Sequence, residues 1–228
     1  MASGEIFTDS YVIQRCPKTG VTLQLVNPLT GDLIYPTNRS LDGVNEYAFK
    51  GLLVPFLDKF IPLHPDCLLA DIGGGEYSRC AVELSKRYPD IQAIINIDLI
   101  ARPLKGVQKA IALAEDLTRL EMFLPHESID FAYSSYLLPM LPRYTGNNIQ
   151  IVILSALAGC MNSGGMALIH ESPGYFRREY AQQLLSRGGF NRMYAYGVGD
   201  EFLVLSKFED PTKTSVLESI GLDPIITL

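Results

Sequence analysis

No run of roughly eighteen apolar residues occurs in the chain, and no basic-then-apolar leader opens it, so neither a membrane-spanning helix nor a secretory signal is expected. The four cysteines, at positions 16, 67, 80 and 160, show neither close pairing nor metal-ligand spacing, which argues against a disulfide framework and a metal cluster. These absences predict a soluble protein of a reducing compartment, placed in the cytoplasm. Basic tracts are missing too. A formal net charge of −6 without such a tract argues against a general nucleic-acid surface, although not against a local one. Histidine occurs only at 64, 126 and 170, and no internal repeat or low-complexity segment interrupts the sequence.

What is present is a globular composition: 228 residues, 47% apolar and 19% charged, enough for one sizeable core with an appendage. Residues 1–42 differ in texture from the rest. Cys16-Pro17-Lys18-Thr19-Gly20 and Pro28-Leu29-Thr30-Gly31 punctuate two short alternating runs, 21–26 and 32–35, and predict a small hairpin-rich cap. Such a knuckle is where a zinc ribbon would place two cysteines, but Cys16 stands alone and no metal is expected. Apolar residues from Val44 to Phe60 then recur at helical spacing and predict a helix over 44–60, with Pro62 and Pro65 separating it from the core.

From residue 67 onward strand and helix alternate. Strands are expected at 67–70, 91–97, 110–114, 129–133 and 166–170, and helices at 76–88, near 103–109, at 149–160 and at 176–187. Two further strands, 190–196 and 202–208, are parted only by Gly197-Val198-Gly199-Asp200, so they must run antiparallel to each other. The predicted fold class is α/β: a Rossmann-like doubly wound seven-stranded sheet ending in an antiparallel hairpin, behind a small N-terminal cap. The expected division is a cap or lid over 1–60, a core over 61–210 and a tail over 211–228.

The segment Leu69-Ala70-Asp71-Ile72-Gly73-Gly74-Gly75-Glu76 is where a strand would deliver a ligand to the start of a helix. Gly73, Gly74 and Gly75 let a ligand approach bare backbone, and the helix beyond offers unpaired N–H groups. A dinucleotide site would want a third glycine where Ser78 stands, and Asp71 would repel phosphate while attracting a cationic amine. In open α/β sheets, ligands bind beyond the C-terminal strand ends. There, Asp98 could accept two ribose hydroxyls or cap a loop. Asp116 could take an adenine amino group beside the Leu117 backbone, or serve as the N-cap of a turn over 117–120. Tyr133-Ser134-Ser135-Tyr136 ends the fourth strand, where the reactive end of a cofactor would lie.

This arrangement resembles the class I S-adenosylmethionine-dependent methyltransferases over about residues 44–208. Their acid and glycine-x-glycine motif stands as Asp71-Ile72-Gly73-Gly74-Gly75, the acid after the second strand as Asp98, and the adenine-side motif as Ala114-Glu115-Asp116-Leu117. The fourth- and fifth-strand segments stand as Ser128 to Tyr136 and Gly164 to Glu171. The Gly-Gly-Gly form, with Tyr88-Pro89-Asp90 and Asp98-Leu99, is also similar to small-molecule O-methyltransferases. The resemblance implies S-adenosylmethionine as cofactor, held by Asp71, Gly73, Gly74, Gly75, Asp98, Asp116, Leu117 and Ser134 over a core spanning 61–210. There are departures. The histidine base that small-molecule O-methyltransferases place after the fourth strand is absent from 134–143, and the Asn/Asp-Pro-Pro-Tyr/Phe signature of amide and base N-methylation is absent too.

Methyl transfer requires mainly orientation and, where the nucleophile carries a proton, a base. His170 is the candidate base, Glu171 would orient it or meet a cationic group, and Tyr136 and Arg143 could shape or polarise the acceptor. A small or peptide-like acceptor, methylated on oxygen or nitrogen beneath a lid of residues 1–60 and 139–148, is the expected partner, with oligomeric state left open. Two other readings stand beside it: a cofactor-binding partner protein without chemistry, and a nucleotide-dependent oxidoreductase. The latter lacks its Tyr-x-x-x-Lys pair, because Met140 stands four residues after Tyr136.

Overall fold

The computed structural model describes residues 6–8, 11–20, 22–26, 31, 33–34, 38–135, 149–171, 189–190, 192–196, 201–207 and 226–227. Near the N-terminus the expected hairpin-rich cap is a sheet of four antiparallel strands in sequential order: β1 (Ile6–Thr8), β2 (Tyr11–Arg15), β3 (Thr22–Val26) and β4 (Leu33–Ile34), the last two falling on the expected runs.

The core sheet contains β5 (Leu68–Ile72), β6 (Ala93–Ile97), β7 (Ala110–Leu113), β8 (Ile129–Ser135), β9 (Met161–Glu171), β10 (Arg192–Tyr196), β11 (Glu201–Ser206) and a two-residue edge strand, β12 (Ile226–Thr227). Its order is β12-β10-β11-β9-β8-β5-β6-β7. β7, β6, β5, β8 and β9 are mutually parallel, while β11 runs antiparallel to both β9 and β10. The seven expected strands and the terminal hairpin are therefore present, with β12 added at one edge. The chain order reverses between β5 and β8, and at such a switch point a crevice opens beyond the strand ends.

Strand alternation sorts the core into two layers. Leu69, Phe131, Met166 and Leu168 face one side, under α1 (Leu53–Leu63) and α2 (Arg79–Arg87). Ala70, Ile72, Ala132, Ala167 and Ile169 face the other, under α3 (Ile149–Cys160) and the 3-10 helix Leu117–Met122.

The expected helix over 44–60 is two pieces. A turn of α-helix, Leu41–Gly43, passes into π-helical Val44–Ala48, and α1 begins only at Leu53. Between them Lys50 and Gly51 adopt left-handed φ of 49° and 79°, which stops a helix. Asn45 ties the break together: its carbonyl accepts from Gly51 N–H (2.7 Å), and its side chain accepts from Val54 N–H (2.9 Å). Pro62 lies inside the last turn of α1 rather than after it.

The expected helix near 103–109 does not form. Pro103 lacks a donor, Gly106 and Lys109 have φ of 68° and 61°, and the Lys109 ammonium is spent on the Ile91 carbonyl (2.7 Å). The N-terminal sheet covers the adjoining surface instead, with Ile13 and Leu25 buried against Ile100 and Leu99. The expected helix over 176–187, the loop 139–148, and residues Tyr136 and Arg143 lie outside the described residues.

Candidate functional site

β5 runs two residues further than its apolar pattern suggests, so Asp71 sits within the strand, in register with Asn96 of β6 and Tyr133 of β8. All three lie on the α1/α2 face. The chain then turns through Gly73 and Gly75, whose φ of 76° and 84° only glycine adopts readily. α2 starts at Arg79, three residues later than expected, because Ser78 is also left-handed, with φ of 51°.

Asn96, the one polar residue in a buried strand of isoleucines and alanine, organises this turn. Its side-chain amide donates to the Gly75 carbonyl (2.8 Å) and to Ser78 Oγ (2.7 Å), and its oxygen accepts from Gly74 N–H (3.0 Å). Gly74 is required for space rather than for φ. A Cβ there would clash with Asp71 Oδ2 and sit 2.6 Å from Asn96 Oδ1, both on short buried side chains. Gly74→Ala is therefore expected to cost about 1–3 kcal/mol of stability. Denaturant unfolding measures this, and a wild-type midpoint would show that the turn is less tightly held than its contacts imply.

Asp71 is 4% exposed and its Oδ2 has no hydrogen-bond partner among the described residues. Burial pushes its carboxyl up to about 7, a hydrogen bond from Tyr133 opposes this, and the neighbouring charge of Asp98 adds to it. The Tyr133 hydroxyl also lies 3.3 Å from Cys80 Sγ. Burial first, and the Asp71 charge second, raise both the Cys80 thiol and the Tyr133 phenol, so neither is a nucleophile near neutral pH.

Asp71, Gly73, Gly74, Cys80, Tyr133 and Ser135 line one side of a narrow pocket of about 20 Å³. Arg39 and Val44, from the segment preceding α1, complete it, and Arg39 Nη1 donates to Ser135 Oγ (2.9 Å). One acid with an open oxygen and one guanidinium thus share a pocket on a glycine turn. That pairing fits the ammonium and carboxylate of an amino-acid moiety.

Asp98 follows β6 as expected. Its oxygens accept from Gly75 N–H (3.0 Å) and Ile100 N–H (3.1 Å), and burial raises its carboxyl against the pull of those two bonds. Asp116 caps the 3-10 helix, with Oδ1 accepting from Thr118 N–H and Oγ1 (2.9 Å each). Leu117 is buried in the α3-side core. Ser134 is buried on that side as well, among Ile153, Leu154 and Leu157, so its side chain does not join Asp71, whereas Tyr133 and Ser135 do. His170 is fully buried, beside Ser135 in the β8/β9 register, with its ring 6.0 Å from that of Phe49; it is not part of the pocket lining. Glu171 ends β9, and its side chain lies outside the description.

Glu76 and Arg102 carry a role that the sequence did not reveal. Glu76 is 0% exposed and accepts from Arg102 Nε (2.7 Å), Thr22 Oγ1 (3.0 Å) and Thr22 N–H (3.1 Å). Arg102 also donates to the Gly20 carbonyl. Arg102 thereby clamps the end of the glycine turn to the N-terminal sheet. Among the described residues no helix is long and apolar enough to cross a membrane, and no cluster of His, Cys, Asp or Glu is arranged to hold a metal.

No protein-family model and no curated protein matches the sequence. Solved structures do. A Nostoc punctiforme protein provisionally assigned as an O-methyltransferase superposes with a TM-score of 0.52 at 9% identity over 73% of this chain, which spans 58% of that protein's length. The 1,6-didemethyltoxoflavin-N1-methyltransferase of Burkholderia thailandensis, solved with S-adenosylhomocysteine, superposes with a TM-score of 0.51 at 12% identity, covering 78% of this chain and 96% of that one. With five parallel strands, a closing antiparallel hairpin and a glycine turn at the switch point, the chain has the fold of the class I S-adenosylmethionine-dependent methyltransferases.

Proposed function

We propose that the protein is an S-adenosylmethionine-dependent methyltransferase acting on a small or peptide-like acceptor, at oxygen or nitrogen. One observation carries this reading: the buried Asp71 carboxylate oxygen without a partner, facing the same pocket as Arg39 on the glycine turn. In this reading Asp71 takes the methionyl ammonium and Arg39 the carboxylate. Gly73, Gly74 and Gly75 admit the chain between them. Asp98 uses the second lone pairs of its oxygens for the ribose hydroxyls, and Asp116 with the Leu117 backbone meets the adenine. Because the pocket is narrow, the Arg39 and Val44 side chains give way as the cofactor enters, in keeping with a lid over 1–60, a core over 61–210 and a tail over 211–228.

When bound, S-adenosylmethionine supplies a methyl group already activated on a sulfonium. The chain's own share is orientation, exclusion of water and, for a protonated nucleophile, a base. Val44 and Phe49 supply apolar cover over Tyr133 and His170. Tyr136, His170 and Glu171, at the ends of β8 and β9, are the acceptor-side candidates. Ser134 contributes through its backbone in this reading, since its side chain faces the α3 layer. A cytoplasmic site of action accords with four free cysteines.

The buried position of His170 favours one other reading, a cofactor-binding partner protein without chemistry. Incubation with a labelled methyl donor and a fractionated cell extract, with nuclease and protease controls, separates the two. Label in a small-molecule or protease-sensitive fraction is expected. Label in nuclease-sensitive polymer would overturn the acceptor class, and label nowhere, despite cofactor binding, would favour the non-catalytic reading.

A further inference from the structure

Beside the Asp71 pocket lies a second, wider depression of about 670 Å³, bounded by Asn38, Arg39, Ser40, Gly43, Tyr47 and Arg79. Its volume is within the range of roughly 300–1,000 Å³ that holds a small organic ligand. Arg39 belongs to both cavities, so a molecule seated in the outer one would adjoin the inner one.

The chemistry of its lining is one-sided. Both charged residues are arginines, on a chain whose net charge is −6, and no carboxylate is among the six. The nearby acids do not face it as free charges: Glu83 pairs with Arg79 Nε (3.0 Å) while accepting from Leu41 N–H (2.7 Å), which anchors Arg79 at the start of α2 and fixes the Leu41 segment against it. Asp42 and Glu46 are exposed on the same segment but outside the lining. Tyr47 is 77% exposed, the most exposed large apolar side chain among the described residues, and it is on this groove that it stands. An exposed ring in the same groove as the Arg79 guanidinium suits a flat, anionic molecule, with the ring stacked and the acid held by Arg79 while Arg39 stays with the cofactor.

We propose that this groove is the acceptor site, and that it selects small aromatic acceptors bearing a carboxylate or phosphate, with Arg79 and Tyr47 setting that specificity. This rests on the methyltransferase reading above.

The test is an NMR titration of the full chain with benzoate, phenyl phosphate and neutral benzyl alcohol, with S-adenosylhomocysteine at saturation and again without it. Both anions are expected to bind at least about tenfold more tightly than benzyl alcohol, and Arg79→Gln to erase most of that preference. Affinity of Arg79→Gln for S-adenosylhomocysteine should match wild type. The stronger of the two anions identifies the acid that the acceptor carries. Anions that bind no better than the alcohol, or a preference that survives Arg79→Gln, would overturn the proposal. Failure of S-adenosylhomocysteine to bind is read in a separate arm, and would strike the methyltransferase reading whatever the groove does.

Discussion

Asp71→Asn is expected to weaken S-adenosylmethionine binding by about 2–5 kcal/mol above neutral pH, the loss seen when one partner of a buried charge pair is removed. The same substitution should flatten the pH dependence. In the free protein, burial holds the Asp71 carboxyl neutral up to about 7, whereas an ammonium ligand needs it ionised. Wild-type affinity therefore climbs as pH rises toward 7, by up to about tenfold per unit, and levels off above it. The effect on stability has the opposite sign. The folded-state value of about 7 exceeds the ordinary 3.8, so the contribution of Asp71 is fully present below 3.8 and lost as pH rises through 7. Ligand-free Asp71→Asn should thus melt above wild type at pH 8 and lose that advantage toward pH 4. Calorimetry and thermal melts across this range check both halves. A variant with wild-type affinity and an unchanged pH profile would remove Asp71 from the site.

The second large effect concerns the clamp between the glycine turn and the N-terminal sheet. Arg102→Ala leaves the Glu76 carboxylate 0% exposed without its cation, while the guanidinium it loses was 33% exposed and partly hydrated. An uncompensated buried charge costs about 3–5 kcal/mol. Glu76→Gln should cost less, about 1–3 kcal/mol, since the amide oxygen still accepts from Thr22 and Arg102 can turn to water. The order is the diagnostic part. Denaturant unfolding of both variants should place Arg102→Ala below Glu76→Gln, and losses under about 1 kcal/mol for both would mean that the pair is only a surface contact.

The sheet, its switch point and the glycine turn were legible because they rest on local rules: an apolar run, a stop, a change of period. Helix 149–160 was read to the residue for the same reason. What escaped depended on partners distant in sequence. Glu76 read as the start of a helix, yet its carboxylate is claimed by Thr22 and Arg102 across 54 and 26 positions. Arg39 looked like part of a cap, and only folding brings it to Ser135. Asn96 did carry a signal, an amide amid Ile94, Ile95 and Ile97, where an unpaired polar group would be costly. The break at Lys50-Gly51 and the missing helix near 103–109 have one cause. Apolar spacing alone predicts a helix, and left-handed residues held by tertiary contacts override it. Ser134 shows the period-2 rule at its sharpest, since one step along β8 sends its side chain to the opposite layer from Tyr133 and Ser135.

Asp71 and Arg39 are proposed to grip the two ends of the methionyl group at the β5/β8 switch point. A crystal structure of the full chain grown with S-adenosylhomocysteine tests it most directly. The ligand ammonium is expected at hydrogen-bonding distance from Asp71 Oδ2, its carboxylate on the Arg39 guanidinium, and the Arg39 and Val44 side chains shifted to admit it. A ligand bound elsewhere, or one bound in this crevice with its ammonium away from Asp71, would contradict it.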